Sequence, residues 1–247
     1  MKICVNVPSI HPDRCLRMLD SFNENMGRNK KHFYFHIVAQ GWTEDQLDSL
    51  DPLLAISVGP LEAEPSMIEL RMITADRFAC LPEYYMFIDD DIVYEKGADQ
   101  FFDDVIHSLD NVKPAVYQLF KNRYPPHEVY HPENCIMTIN RGLIVRSNAI
   151  RGLMGNYPSL LGGGEDALIG YWALATDNSR IIRGGAPIST DGVKHFSNTS
   201  ESFIHNSDIF DQNCGKAIRQ MFDDEDWELL SGHLPKGIQS DRSNIRH

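Results

Sequence analysis

Strand-like apolar runs alternate with segments of helical spacing along the first hundred residues. The strand-like runs are Lys2–Val7, Phe33–Ala39, Leu54–Val58 and Tyr84–Ile88. The helical segments between them are Arg14–Asn25, Glu44–Leu50 and one that begins at Ser66, where Glu69 completes a capping box. Strands that alternate with helices at this spacing predict βαβ units and a mainly parallel sheet. The uninterrupted apolar run Tyr84–Ile88 predicts a strand buried on both faces.

The pattern becomes mixed beyond residue 100. The predicted strands are 115–120, 136–145 and 180–183, the predicted helices are 101–109 and 165–175, and 122–134 is a predicted loop. No internal repeat or low-complexity linker divides the sequence. We therefore expect one α/β domain over residues 1–200, a mixed and mainly parallel sheet flanked by helices, with a C-terminal extension over 201–247.

Composition narrows the class of protein. A chain of 247 residues with 42% apolar residues can fill the core of one large domain. The sequence has no run of about 20 apolar residues, so we expect no membrane span. Its N-terminal apolar run is interrupted too soon for a signal peptide. The five cysteines are odd in number and form no Cys-x-x-Cys pair, which favours a reducing compartment and a cytoplasmic protein.

The charge balance bears on the substrate. The net charge is −12, from 23 basic and 35 acidic residues. Proteins that bind a nucleic-acid backbone normally have a basic surface, and the one dense basic run, Arg28–His32, is typical of a solvated loop. An acidic protein that binds an anionic substrate needs a cation to offset the repulsion, and a divalent metal ion is the usual one.

Three consecutive aspartates, Asp89, Asp90 and Asp91, directly follow the buried strand Tyr84–Ile88. Ligands of open parallel sheets bind beyond the carboxyl ends of the strands, and a bound cation relieves the repulsion between adjacent carboxylates. Asp89 and Asp91 alternate along the chain, so extended backbone would place them on one side. They predict a site for Mg²⁺ or Mn²⁺, with substrate phosphate oxygens as further ligands. The alternative is a solvated acidic turn.

A glycine run, Gly162–Gly164, precedes Glu165 and Asp166 at the start of a predicted helix. Glycines let the backbone approach a ligand closely, and carboxylates suit the positive end of a helix dipole. One of these carboxylates could remove a proton from an acceptor hydroxyl in a metal-dependent transfer reaction. The structural alternative is a flexible loop followed by a capped helix.

His195 is the candidate for a third metal ligand, because neutral imidazole binds divalent metals and the residue follows the last predicted strand. A single histidine is more often structural than a ligand. His205 is the competing candidate.

The order of these motifs resembles that of the GT-A glycosyltransferases, which are Rossmann-related. That order is a strand leading to Asp-x-Asp, a glycine-rich loop, Glu-Asp and a C-terminal histidine. Four further segments are similar to parts of the family. Val5–Asp13 resembles its opening strand and turn, and Val38–Asp45 resembles the end of its second strand. Glu69–Arg71 lies near the position of its Ala-Arg-Asn stretch, and Gly142–Arg146 resembles the strand before its acceptor loop. The resemblance covers about residues 2–196.

This resemblance implies transfer of a sugar from a nucleotide diphosphate sugar to an acceptor hydroxyl. It implies a nucleotide-sugar half over about residues 1–100 and an acceptor half over 101–200. The metal ligands would be Asp89, Asp91 and His195, and the donor-binding residues would be Pro8, Ser9, Gln40, Arg71, Asp89 and Asp90. Asp166 would be the base, Glu165 would orient it or the acceptor, and Gly163 and Gly164 would contact the acceptor. A base in this position implies inversion, although retention stays open.

The resemblance defines the donor and the acceptor less closely than it defines the type of reaction. The family commonly has an aspartate where this chain has Gln40, and an amide can still hydrogen-bond a pyrimidine, so a UDP-sugar is the expected donor. The default acceptor is a glycan or a lipid-linked saccharide, and a modified nucleic-acid base stays open as another. The expected cofactor is Mn²⁺ or Mg²⁺.

Two other kinds of protein compete with this interpretation. Asp89 and Asp91 after a strand also fit a phosphatase of the haloacid dehalogenase type, in which the first aspartate is a nucleophile. Against it, the motif lies near residue 90 rather than on the first strand, and the customary glycine after the second aspartate is missing. The other alternative is a non-catalytic carbohydrate- or metal-binding module, which would not require Asp166.

Overall fold

The computed structural model describes most of the chain up to residue 158 and shorter pieces beyond it. The described ranges are 1–51, 54–58, 67–77, 82–119, 142–158, 165–177, 181–183, 193–195 and 220–225. The strands in these ranges are β1 (Ile3–Ser9), β2 (Phe33–Ala39), β3 (Ala55–Val58), β4 (Tyr84–Phe87), β5 (Ile92–Tyr94), β6 (Val116–Gln118), β7 (Leu143–Arg146), β8 (Ile181–Arg183) and β9 (Val193–His195). The α-helices are α1 (Pro12–Asn25), α2 (Glu44–Asp48), α3 (Met67–Arg77), α4 (Ala98–Val112), α5 (Ser147–Ile150) and α6 (Glu165–Asp177), and Arg28–His32 and Arg151–Leu153 are 3-10 helices.

Seven of the strands form one sheet in the order β3-β2-β1-β4-β7-β6-β8. The first four are parallel, β7 is antiparallel to both of its neighbours, and β8 is parallel to β6. Only β7 therefore runs against the others. This arrangement confirms the predicted mixed and mainly parallel sheet.

The order of strands reverses at β1, which pairs with β2 on one side and with β4 on the other. The chain forms β3 at the outer edge before it returns to β4. In an open α/β sheet the crevice outside the carboxyl ends of the strands at such a reversal is the usual ligand site. The turns that follow β1 and β4 lie there, and the second of them contains the three aspartates.

The two faces of the sheet bury two separate hydrophobic cores, which explains why its central strands are apolar throughout. In β4, Tyr84 and Met86 belong to one core and Tyr85 and Phe87 to the other. The first core packs against α1 and α4 through residues such as Phe22, Met18 and Phe102. The second packs against α3, α5 and α6. The strand predicted from the run Tyr84–Ile88 is confirmed as buried on both faces.

The short strands β5 and β9 pair with each other outside the main sheet, and neither was predicted from the sequence. They are antiparallel, and Ile92 lies opposite His195. Three residues are too few to show alternation, and the partner strand is about a hundred residues away in the sequence. The pairing brings the backbone of His195 beside the residue that follows Asp91.

The longer predicted elements match the structure within a few residues at each end, apart from two differences. The helix predicted over 101–109 begins earlier and ends later, as α4, and follows Gly97, whose φ of +107° is the left-handed region that glycine adopts readily. The strand predicted over 136–145 is described only as β7. The capping residue Ser66, the loop 122–134 and most of the C-terminal extension lie outside the described residues.

No helix in the described ranges is long and apolar enough to cross a bilayer.

Candidate active site

The three aspartates form a turn just beyond the carboxyl end of the buried strand β4. Asp90 and Asp91 are buried, whereas the side chain of Asp89 is 31% exposed. The backbone N–H of Ile88 still donates to the Asn6 carbonyl of β1, at 3.2 Å, so the turn begins while the chain is attached to the central strand. Carboxylates thus lie at the carboxyl end of a buried strand, and the strand order reverses beside it at β1.

Asp89 is paired with Arg71, a residue of α3 that is 4% exposed. Arg71 Nη2 donates to Asp89 Oδ1 at 2.6 Å, and Nη1 donates to the Ile88 carbonyl oxygen at 2.6 Å. The same Nη1 donates to Asn6 Oδ1 at 3.3 Å, and Asn6 Nδ2 donates to the Leu70 carbonyl at 3.3 Å. One guanidinium therefore joins α3, β1 and the start of the aspartate turn.

Asp90 is bonded to the last residue of β1, Ser9. Ser9 Oγ donates to Asp90 Oδ2 at 2.6 Å, and the backbone N–H of His11 donates to Ser9 Oγ at 3.1 Å. Burial raises the pKa of the Asp90 carboxyl above its usual value, and neighbouring Asp91 adds to the rise; the hydrogen bond from Ser9 and the charges of His11 and Arg14 oppose it. Two of the three aspartates are thus held by different parts of the fold.

The predicted donor-binding residues of β1 and β2 lie side by side. Pro8 is in register with Val38 and Ser9 with Ala39. The carbonyl oxygen of Ser9 accepts two hydrogen bonds, from the Gln40 backbone N–H and from Trp42 Nε1, both at 3.0 Å. Gln40 is half-buried at this edge. The structure brings Pro8, Ser9 and Gln40 together with Asp90.

Glu165 is the first residue of α6. Its side chain is buried, and burial is the main reason why the pKa of its carboxyl is raised. The charge of Arg71 lowers that pKa and the charge of Asp89 raises it. The charges of Arg71 and Asp89 therefore act on the Glu165 carboxyl.

Several predicted site residues are placed only in part. Asp166 follows Glu165 in α6, and His195 ends β9, but the structure describes neither side chain. Gly163, Gly164 and His205 lie outside the described residues. The predicted roles of these five residues, like those of the other candidate site residues, stay predictions.

The charges at this edge suit a divalent cation. Asp89, Asp90 and Asp91 are consecutive carboxylates at this edge, and the charge of Asp89 also acts on the buried carboxyl of Glu165. The cationic groups described near them are Arg71, which pairs with Asp89, and His11 and Arg14, whose charges act on Asp90. Carboxylate oxygens are the ligands that Mg²⁺ and Mn²⁺ prefer, and a cation would offset this accumulation of negative charge. Within the described ranges, no group of three or more His, Cys, Asp or Glu side chains forms a preassembled metal cage. The donor chemistry fits such an ion, and further ligands would have to come from elsewhere.

Sequence reasoning missed two residues of this network, Asn6 and Trp42. Asn6 is fully buried in the middle of the apolar strand Ile3–Ser9, and a polar side chain at such a position must find hydrogen-bond partners. This was a detectable signal. Trp42 lies in the segment Val38–Asp45, and nothing in the sequence indicated that its indole nitrogen would donate to the Ser9 carbonyl.

Comparisons with known proteins show which solved structures have a similar fold. No family model matches the chain, and no curated protein matches it by sequence. The similar solved structures include the mannosyltransferase PcManGT from Pyrobaculum calidifontis in complex with GDP-Man and Mn²⁺, residues 1–349 of S. aureus TarS, and a mutant of Drosophila galactosyltransferase 7 with manganese, UDP-Gal and xylobiose. Their TM-scores are 0.67, 0.60 and 0.50, with sequence identities of 14%, 17% and 11%.

These matches extend over most of the molecule. They cover 94%, 99% and 80% of this chain, and 68%, 74% and 72% of the respective solved chains. The fold is therefore GT-A-like, the one shared by these nucleotide-sugar glycosyltransferases, and the expected fold class is confirmed. At these identities the similarity concerns the fold, and the activity has to be argued from the site.

Proposed function

We propose that this protein is a metal-dependent glycosyltransferase that moves a sugar from a nucleotide diphosphate sugar to an acceptor hydroxyl. The observation that carries the proposal is the aspartate turn at the carboxyl end of β4. It lies where the strand order reverses, in a fold shared with solved glycosyltransferases. Buried carboxylates collected at that edge, around one guanidinium, are suited to a cation and its anionic ligand.

In this proposal Asp89 and Asp91 hold Mn²⁺ or Mg²⁺, with His195, or alternatively His205, as a further ligand. When bound, such a cation offsets the charge that develops on the departing diphosphate. PcManGT was solved with Mn²⁺ and the Drosophila enzyme with manganese, which supports a metal of this kind.

The donor would lie against the ends of β1 and β2. Pro8, Ser9, Gln40 and Asp90 meet there, and we propose that they contact the nucleotide. The Gln40 amide can both donate to and accept from a pyrimidine edge, so we propose a UDP-sugar. TarS was also solved with UDP-GlcNAc and the galactosyltransferase with UDP-Gal, whereas PcManGT was solved with GDP-Man.

The proton of the acceptor hydroxyl would pass to a carboxylate at the start of α6. We assign that role to Asp166, with Glu165 orienting it or the acceptor, and this implies direct displacement with inversion. The burial of Glu165 and the action of the Arg71 and Asp89 charges on its carboxyl support an orienting role. Gly163 and Gly164 would let the acceptor approach the backbone.

The acceptor is proposed as a glycan or a lipid-linked saccharide, and a hydroxylated nucleic-acid base is the less favoured choice for so acidic a protein. Xylobiose in the Drosophila structure is consistent with a saccharide. The free buried thiols Cys4 and Cys15 agree with the proposed cytoplasmic location.

The proposal is tested by incubating the protein with Mn²⁺ and a panel of UDP-, GDP- and dTDP-sugars and measuring slow hydrolysis of the donor. We expect one nucleotide sugar to be consumed, EDTA to stop the reaction, and Asp91→Ala to abolish it. Hydrolysis of simple phosphate esters instead would favour the phosphatase. Sugar binding without turnover in every mixture would favour a non-catalytic module.

The assignment of the base is tested once an acceptor is identified. Asp166→Asn should leave UDP binding intact and lower the transfer rate by roughly 10²–10⁴-fold, because the acceptor proton loses its recipient. Glu165→Gln, its matched neighbour, should have the smaller effect. If Glu165→Gln has the larger effect, the two roles are exchanged; if Asp166→Asn transfers at the normal rate, Asp166 is not the base.

A further inference from the structure

We propose that Arg71 and Asn6 are a positioning pair that fixes the carboxylate of Asp89 for cation binding, and that Arg71 does not contact the sugar donor. This inference rests on the proposed function. It reassigns Arg71, which the sequence placed among the donor-binding residues, and it adds Asn6, which the sequence did not single out.

The guanidinium of Arg71 is directed into the protein. Both of its terminal nitrogens donate to protein acceptors, Nη1 to the Ile88 carbonyl and Asn6 Oδ1 and Nη2 to Asp89 Oδ1. With 4% of its surface exposed, Arg71 presents almost nothing to the crevice. Asp89 is the member of the pair that remains accessible there, with a side chain that is 31% exposed. A ligand at this edge would therefore contact Asp89, and Arg71 would lie on the protein side of Asp89, away from the ligand.

Asn6 holds Arg71 in this orientation. Its Oδ1 accepts from Arg71 Nη1, and its Nδ2 donates to the carbonyl of Leu70, the residue that precedes Arg71 in α3. One fully buried amide thus fixes both the guanidinium and the adjacent helical backbone. Burying an amide is unfavourable unless its hydrogen bonds are made, and here they are made to the helix that carries Arg71.

The geometry of the contacts suits arginine rather than lysine. A planar guanidinium can donate in several fixed directions at once, and here it reaches the amide of β1, the carbonyl before the turn and the carboxylate of Asp89. An ammonium group is a compact point charge and would not span the three acceptors. Groups that orient a metal-binding carboxylate from behind typically change metal affinity by 10–100-fold when they are altered.

The test separates cation binding from nucleotide binding. Mn²⁺ is titrated into the wild-type protein and its variants, with and without saturating UDP, while free Mn²⁺ is followed by its electron paramagnetic resonance signal. UDP binding in EDTA is measured separately by calorimetry. We expect Arg71→Lys to weaken Mn²⁺ binding by about 10–100-fold and to leave metal-free UDP binding unchanged.

Asn6 provides the second pair of variants. Asn6→Leu removes both hydrogen bonds at similar volume and should weaken Mn²⁺ binding in the same direction as Arg71→Lys. Asn6→Asp keeps an acceptor for Arg71 and should retain more of the affinity than Asn6→Leu. Ser147→Ala is the control, because it removes a buried hydrogen bond to Pro82 at the opposite edge of the sheet and should leave the Mn²⁺ affinity unchanged.

The outcomes distinguish this inference from the function on which it rests. If the wild-type protein binds Mn²⁺ neither alone nor with UDP, the proposed function fails. If it binds Mn²⁺ and Arg71→Lys binds it equally well but has lost metal-free UDP binding, Arg71 is a donor contact and the inference is wrong. Should Arg71→Lys not fold by circular dichroism, the Asn6 variants decide, and equal Mn²⁺ affinity in Asn6→Leu and Asn6→Asp overturns the inference.

Discussion

Three identical residues in succession have different surroundings at the end of β4. Asp89 is bonded to a guanidinium and is partly exposed, while Asp90 is bonded to a serine hydroxyl and is buried. Asp91 is buried as well. Because the partner of Asp89 comes from α3 and that of Asp90 from the end of β1, these two aspartates are held by different elements. A substitution at one of them should therefore not be equivalent to the same substitution at the next.

Burial also changes the acidity of a residue near the centre of the sheet, Cys4. Its thiol lies in β1 between Tyr34 and Tyr85, and burial raises the pKa of the thiol from 9.0 to about 12, against a smaller lowering by a hydrogen bond with Tyr34. The folded state holds this proton more tightly than the unfolded chain does. The free energy of unfolding should therefore fall as the pH rises from about 9 to about 12, and the contribution of Cys4 to that fall should be at most about 4 kcal/mol.

This prediction is checked by urea unfolding at several pH values between 8 and 12, in the wild-type protein and in Cys4→Ala. The variant loses packing at every pH, so the two proteins are compared by the slope of stability against pH. We expect the shallower slope in Cys4→Ala. Equal slopes would show that Cys4 ionises as readily in the folded protein as in the unfolded chain.

At the scale of an element, the start of β7 depends on one glycine. Gly142 has a φ of +141°, and a Cβ added there would lie 2.4 Å from Leu119 Cδ1. Its carbonyl accepts a hydrogen bond from the Leu119 backbone N–H, so the two residues close the pairing of β6 with β7. Gly142→Ala is destabilising for two reasons. A residue other than glycine in this backbone conformation costs about 1–3 kcal/mol, and the steric overlap with Leu119 costs about 1–3 kcal/mol more. We expect a loss of at least about 2 kcal/mol in the free energy of unfolding.

Gly155 supplies a matched control for this substitution. Its φ of +73° also favours glycine, but nothing lies within 4 Å of the position that a Cβ would occupy. Gly155→Ala should therefore cost only the backbone strain, about 1–2 kcal/mol. Both variants are compared by denaturant unfolding at neutral pH. A loss in Gly142→Ala no greater than that in Gly155→Ala would mean that Leu119 moves aside at little cost.

The elements differ in how far the sequence could predict them. Phe33–Ala39 was predicted with the ends that β2 has, because a long β-branched and aromatic run is bounded by turn residues. β5 and β9 were missed because a strand of three residues is defined by its partner rather than by its own pattern. The aspartate turn was predicted from local sequence, whereas its partners Arg71 and Ser9 lie 18 and 81 residues away from the aspartates they bind. Such contacts depend on the order of the strands, which periodicity does not contain.

At the scale of the whole molecule, negative charge is the dominant electrostatic feature. The net charge is −12, and the one dense basic run is paired in part with acidic residues. It is a 3-10 helix attached to α4, in which Arg28 pairs with Asp103 and the Asn29 backbone N–H donates to Asp99 at 3.0 Å. The excess of acidic over basic residues means that a cation which binds at the aspartate turn is attracted by the protein as a whole.

Binding of a cation and a nucleotide at that turn should therefore stabilise the entire fold. A ligand that binds only the folded state contributes about 2.7 kcal/mol at a concentration of 100 times its Kd, which for a chain of this length raises the Tm by roughly 5–10 °C. We expect a rise of this size with Mn²⁺ and UDP together, reversed by EDTA and absent in Asp91→Ala. The Tm is measured by differential scanning calorimetry at pH 7.5. An equal rise in Asp91→Ala would mean that the ion binds elsewhere on this acidic protein and that the aspartate turn is not the binding site.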